Sequence, residues 1–241
     1  MKVAVIGDIH GTTKFQECYK NILEIDSDVD KIIVLGDWFD PYINVDLDTM
    51  IERYNEFVKI WKSDDRIVSI LGNHDIAGYI NENDITKRTI RFGKMKQRIT
   101  DAIVPNLSES YLTYKVGDYM FSHAGVSKYW LDEISQYKYN GCNYADDIMT
   151  CKKGWKEYEL CDICTYYPLD FSGDGTNKYQ SCVWIRPQAL YSCAIDGYNQ
   201  VIAHSRVEKI VKAKLLNEKD VWLVDDGGKP NYLILNIEEK N

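Results

Sequence analysis

Gly7-Asp8-Ile9-His10-Gly11, directly after the apolar run Val3-Ala4-Val5-Ile6, decides how the chain is read. The run has the length and β-branched character of a buried strand. It stops at a glycine and sets a carboxylate and an imidazole on the turn beyond its C-terminal end. That is where open α/β sheets place their chemistry. An Asp and a His two residues apart cannot hold a metal alone. Three more strand-to-turn junctions bring partners: Gly36-Asp37-Trp38-Phe39-Asp40, Gly72-Asn73-His74-Asp75 and Ser122-His123-Ala124-Gly125. A looser one is Ala203-His204-Ser205. The chain has 4 histidines, and each stands at one of these junctions. A lone histidine is an ordinary surface or core residue. Every histidine at a strand end, with Asp and Asn beside it, is a pattern with a purpose.

Outward from that stretch, strands and helices alternate. Phe15, Cys18, Tyr19, Ile22 and Leu23 share one helical face, with Thr12 or Thr13 as cap. Lys31 to Leu35 is the next buried strand. Leu47, Met50, Ile51, Tyr54, Phe57, Val58 and Trp61 mark a longer amphipathic helix, and Asp46 or Asp48 at its start suits the helix dipole. Arg66 to Leu71 is a third strand. This alternation implies right-handed βαβ crossovers and a mainly parallel early sheet. Asp75 to Ser110 is polar and weakly periodic, expected to be helical with loops and to wall one side of a cleft. Tyr111 to Val116 and Tyr119 to Ser122 form a hairpin around Gly117-Asp118. Val126 to Ile134 is a short helix and Gln200 to Ala203 a strand. The tail holds strands at about 210–216, 221–224 and 232–237, the last two separated by the turn Asp226-Gly227-Gly228. We therefore expect a late antiparallel sheet packed on the early parallel one.

At 241 residues the chain is read as one domain, 1–241, able to bury a sizeable core. Residues at about 136–181 lose regularity and form a loop-rich, cysteine-bearing insertion. The net charge of −8 argues against a general affinity for nucleic-acid backbones. A small phosphorylated substrate stays open, since bound cations supply local positive charge. The first strand begins at Lys2, so no signal peptide is expected. No apolar run approaches the roughly 20 residues that span a bilayer. The expectation is a cytoplasmic protein that binds neither membrane nor, stably, nucleic acid, with its 7 cysteines reduced.

In their order, Asp-x-His, Gly-Asp-x-x-Asp, Gly-Asn-His, His and His resemble the motifs of the calcineurin-like metallophosphoesterase superfamily. Within it, the phosphoprotein (serine/threonine) phosphatases and their bacterial and phage relatives are the most similar. The motifs run from Gly7 to His204, and as an ordered set they are specific. The resemblance implies an α/β fold, a two-sheet sandwich of mixed sheets flanked by helices. It implies a dinuclear metal-dependent phosphatase acting on phosphomonoesters of proteins or small molecules through a hydroxide activated by two divalent cations. Manganese, iron and zinc suit the mixed oxygen and nitrogen ligands, with manganese the expected activator in vitro. Asp8, His10 and Asp37 would hold the first cation. Asp37 would bridge to a second held by Asn73, His123 and His204. His74 would be the general acid, oriented by Asp40. Arg186, in Trp-Ile-Arg-Pro, and Asn73 would contact the substrate phosphate.

The resemblance has departures. The arginine that phosphoprotein phosphatases place directly after Asp-x-x-Asp is Pro41 here, followed by Tyr42. One phosphate clamp is therefore missing, or is supplied from elsewhere, with Arg206, Arg91 and Lys87 as the candidates. Asn-His-Glu becomes Asn73-His74-Asp75, and His204 lacks a following Gln or Thr. The same motifs also fit a symmetrical dinucleoside-tetraphosphate hydrolase or another nucleotide phosphohydrolase, a cyclic or RNA-end phosphodiesterase, and a non-catalytic scaffold. Cys161-Asp162-Ile163-Cys164, with Cys142 and Cys151, is a weak four-thiolate zinc pattern, and reduced packing thiols are the plainer reading. Gly173-Asp174-Gly175-Thr176 is a turn, lacking the Lys and helix start of a phosphate loop.

Overall fold

The computed structural model describes residues 1–41, 44–76, 96–136, 143–164 and 176–238, without the side chains of Lys96 and Cys161. Tyr42, Lys87, Arg91, Cys142 and the Gly173–Gly175 turn therefore lie outside the described residues, as does much of the expected cleft wall after Ile76.

Two mixed sheets pack face to face. In the first, β1 (Lys2–Ile6) pairs in parallel with β2 (Lys31–Val34), and β2 with β3 (Ile67–Ser69). A strand from the far end of the chain, β9 (Leu233–Asn236), closes the sheet antiparallel to β1, with Val3 opposite Leu235. The order is β3-β2-β1-β9. The second sheet begins with the expected hairpin of β4 (Thr113–Val116) and β5 (Tyr119–Ser122). It continues through β6 (Asn199–Ile202) to β8 (Asp220–Leu223) and β7 (Val211–Lys214), in the order β4-β5-β6-β8-β7.

The second sheet is not the antiparallel one expected of the tail. β5, β6 and β8 run parallel, and only the outer pairs β4–β5 and β7–β8 are antiparallel. Nor do β8 and β9 form a pair across Asp226-Gly227-Gly228. Each belongs to a different sheet, so the loop between them crosses the sandwich. A parallel neighbour needs a long crossover. The stretch between β5 and β6 supplies it and includes α5 (Lys128–Gln136), α6 (Tyr144–Met149), α7 (Glu157–Cys164) and α8 (Pro187–Cys193). The 136–181 region thus carries more helix than its composition suggests, and Tyr144, Ile148, Trp155, Leu160 and Ile163 are buried in the main core.

Strands buried on both faces explain the unbroken apolar runs. Val3, Val5, Ile33 and Val68 meet Phe121, Val201 and Val224 between the sheets. On the other face of the first sheet, Ala4, Ile6, Ile32 and Val34 pack under α1 (Lys14–Ile25) and α2 (Leu47–Ser63). Phe57 sits at the centre of an aromatic cluster, stacked on Trp38 with ring centroids 4.2 Å apart and edge-on to Phe15 at 4.8 Å. Asp46 caps α2 by accepting from the Thr49 amide at 2.9 Å. Polar helical segments follow β3: α3 (Asn73–Ile76), α4 (Lys96–Ile103) and a 3-10 turn at Val104–Glu109.

Candidate metal centre

Parallel strands in a sandwich point their C-terminal ends the same way, so whatever follows each strand meets at one edge. β1 delivers Asp8 and His10, β2 Asp37, β3 Asn73 and His74, β5 His123 and β6 His204. The turns are sharp. His10, Asp37, Asp40 and His204 all have φ between 45° and 62°. Non-glycine residues rarely adopt that left-handed region, and its strain collects at functional sites.

Asp37 is the centre. Its Oδ1 accepts the His74 amide at 2.9 Å. Its Oδ2 lies 3.3 Å from His123 Nε2 and 3.5 Å from His10 Nε2. Two groups of donors, each compact enough for one cation, share this residue: Asp8, His10 and Asp37, and Asp37, His123 and His204. All are buried. Asn73 adds Oδ1 at 2.9 Å from His123 Nε2.

The remaining contacts of these side chains test whether they suit metal. His123 Nδ1 is 2.7 Å from the Leu35 carbonyl, and His204 Nε2 is 3.1 Å from that of Trp184. Those carbonyls accept only, so in its neutral form each ring would turn a lone pair toward the other, with His123 Nε2 and His204 Nδ1 3.2 Å apart. His10 Nδ1 is likewise committed to the Phe39 and Asp40 carbonyls at 2.9 and 2.6 Å. Asp8 Oδ2 is buried without a hydrogen-bond partner. Backbone carbonyls holding imidazoles so that the free nitrogens converge on carboxylates is the usual second layer of a metal site. The residues fit a pair of divalent cations.

The electrostatics agree. Burial disfavours charge on His10 and His123, yet Asp8 and Asp37 outweigh it and raise the two imidazoles to about 10 and about 9. Burial opposes the charge of Asp37 too, but the surrounding histidines hold it far below the usual carboxylate range. His204 is pushed well down by burial and by His123. The pocket favours a cation.

His74 stands apart from the ligand groups. Its Nδ1 faces Asp40 Oδ2 at 3.3 Å, close but poorly aligned for a hydrogen bond. Its ring meets that of His10 edge-on, with centroids 5.2 Å apart. Burial lowers its pKa, and Asp37 and Asp40 pull the other way.

Beside the donors opens a cavity of about 450 Å3, walled by Asp40, Pro41, Trp184, Arg186, Arg206 and Asp225. Arg186 Nη1 donates to the His204 carbonyl at 2.6 Å and to Ser205 Oγ at 3.2 Å, which fixes the guanidinium at the rim. Of the alternatives for a second clamp, the structure places Arg206 in this wall.

Three features escaped the sequence reading. Asp225 is buried and lines the cavity, and burial, then Asp8, lifts its carboxyl to about 6. It follows the apolar run Val221 to Val224, so the strand-end rule that found the histidines would have found it too. Asp75 does not line the cavity. Its carboxylate accepts the amides of Asp37, Trp38 and Gly72, each at 2.8 Å, and locks two site turns together. Trp184 meets His204 edge-on at 5.9 Å, and nothing local in the sequence marks it for that role. Cys151 is half-buried and Cys164 buried in the core. With Cys142 and the Cys161 side chain undescribed, the four-thiolate pattern lies outside the described residues.

A family model described as calcineurin-like phosphoesterase matches residues 1–235. No curated protein matches the sequence significantly. Among solved structures, the fold resembles the cold-active protein-tyrosine phosphatase of a psychrophilic Shewanella species, with TM-score 0.58 and 17% identity over 97% of this chain and 75% of that one. A point mutant of a cold-active protein tyrosine phosphatase gives 0.55 and 17% over 97% and 74%. A metallophosphoesterase from Sphaerobacter thermophilus gives 0.45 and 14% over 98% and 84%. At 17% identity the likeness to the two tyrosine phosphatase structures is one of fold.

Proposed function

Because the chain belongs to the calcineurin-like phosphoesterase family, whose reaction is metal-dependent hydrolysis of phosphoesters, we propose that it is a dinuclear phosphomonoesterase. The observation that carries this reading is the single carboxylate of Asp37 shared between two converging donor groups. Asp8, His10 and Asp37 would hold one cation; Asp37, Asn73, His123 and His204 would hold the other. Manganese, iron and zinc all suit that donor set. Bound there, the cations would supply a hydroxide nucleophile at neutral pH and neutralise charge on the phosphoryl oxygens.

The rest falls to the chain's own groups. Asn73 Nδ2, buried without a hydrogen-bond partner, donates to a phosphate oxygen. Arg186, braced by the His204 carbonyl, offers its remaining N–H groups to the same phosphate. His74 donates a proton from Nε2 to the leaving alkoxide, while Asp40 beside Nδ1 offsets the desolvation that disfavours the protonated ring. A cavity of this volume takes a phosphorylated protein side chain or a small phosphoester. No helix among the described residues is long and apolar enough to cross a membrane.

The test is hydrolysis of p-nitrophenyl phosphate by metal-stripped protein with Mn2+ added back, run beside Asp37→Asn. Activity that returns with metal and is lost in the variant is the expected result. A folded protein inactive with every added divalent metal would leave the scaffold as the better reading. Comparing a phosphopeptide with a dinucleoside tetraphosphate at equal concentration then assigns the substrate class.

A further inference from the structure

We propose that Arg206 is the second phosphate-binding residue of this site, replacing the guanidinium missing at Pro41, so that the site recognises a terminal phosphate dianion. The inference rests on the phosphoesterase reading above and deepens it.

Three observations meet at this residue. First, Arg206 and Arg186 are the arginines in the cavity wall among the described residues. The wall also carries the carboxylates of Asp37, Asp40 and Asp225 beside the imidazoles of His10, His74 and His204. Bound cations would offset those carboxylates, and the two guanidiniums, charged at every working pH, add fixed positive charge in the wall that a phosphate dianion can meet. Second, Arg186 has already committed Nη1 to the His204 carbonyl and Ser205 Oγ. It can meet one edge of a phosphate, and a tetrahedral dianion presents more oxygens than one edge covers. Third, Arg206 has a built seat. Gly227 has φ 75°, its amide donates to Asp225 Oδ1 at 3.0 Å, and a Cβ on Gly227 would lie only 2.5 Å from Arg206 Nε and 2.7 Å from Nη2. The guanidinium therefore lies against the bare Cα of Gly227. That seat is made by the loop between β8 and β9, which explains how a clamp can come from after His204 when the turn after Asp40 ends in proline.

A merely structural arginine would support the loop and leave ligand affinity alone. The deciding experiment uses Mn2+-loaded wild type, Arg206→Ala and Arg206→Lys. It measures orthophosphate dissociation constants by calorimetry, thermal melting without ligand, and kcat and KM for p-nitrophenyl phosphate and for bis(p-nitrophenyl) phosphate. A charge-assisted contact to a dianion is worth about tenfold or more in affinity. In Arg206→Ala we expect orthophosphate binding and the monoester KM to weaken by about that factor, with smaller changes in monoester kcat and in the singly charged diester's KM. Lysine should recover part of the loss. Orthophosphate that binds wild type and Arg206→Ala within twofold of each other, or binds neither, overturns the proposal. So does an equal loss on both esters together with a lowered melting temperature. Wild type that binds orthophosphate through Arg206 but hydrolyses neither ester would instead overturn the phosphatase reading and leave the anion site standing.

Discussion

At the scale of single residues, His74 separates catalysis from metal binding. It shares a turn with Asn73 but belongs to neither donor group, and its Nδ1 looks to Asp40 rather than to the ligand cluster. Replacing it with asparagine should lower kcat on p-nitrophenyl phosphate by about 10²–10⁴-fold, the usual worth of a general acid. Metal content, read by elemental analysis, should stay at the wild-type level. Unchanged kcat would remove His74 from the mechanism, and lost metal would make it a ligand. The sequence singled out all four histidines by their place at strand ends, but type and spacing alone could not sort them. The sorting comes from the second nitrogen of each ring. In His10, His123 and His204 it is tied to a backbone carbonyl, whereas in His74 it faces a carboxylate.

At the scale of elements, the site depends on how closely adjacent strand-end turns approach. Gly72 stands so near the turn after β2 that a Cβ there would overlap the Asp37 amide and carboxylate. Asp75 then reaches across and binds the amides of both turns. Gly72→Ala must push Asp37 away from its position between the two donor groups. The expected outcome is loss of Mn2+-dependent hydrolysis and of metal binding, measured by calorimetry, while far-ultraviolet circular dichroism stays native because the strands themselves are untouched. Wild-type metal affinity in this variant would show that the turn can yield. The departure at Asp75 becomes intelligible here, since the shorter carboxylate already reaches three amides and has no need of another methylene.

At the scale of the whole molecule, the two ends of the chain are held together under the site. Lys14 at the start of α1 and Asp226 in the loop before β9 form an ion pair of 2.8 Å, fully buried on both sides. Asn231 Nδ2 adds a hydrogen bond to the same carboxylate at 2.7 Å. Removing one partner strands a charge in a dry interior, at a cost of about 3–5 kcal/mol. Asp226→Asn and Lys14→Met should each lower stability by about that amount in urea denaturation, and Lys14→Met/Asp226→Leu by much less. Equal losses in all three would mean that the carboxylate serves the loop and not the lysine. The loop also carries Asp225 and the Gly227 seat, so its anchoring reaches the cavity wall.

Strand ends, helix faces and the ordered Asp, His and Asn motifs were legible in the chain because they are local. Apolar runs stop where buried backbone stops, a glycine marks every one of these turns but that at His204, and ligand types sit beside it. From these the α/β class, the early parallel sheet and Asp8, His10, Asp37, Asn73, His74, His123 and His204 follow directly. What the tail does is decided by tertiary structure. The strand from Leu233 to Asn236 has the same apolar pattern whether it pairs with its neighbour or with β1, because pattern records burial and not partner. Only the packed sandwich places it against β1 and sends the preceding loop across the sheet edge, which brings Asp225 to the site and Gly227 against Arg206, a candidate the sequence named but could not place.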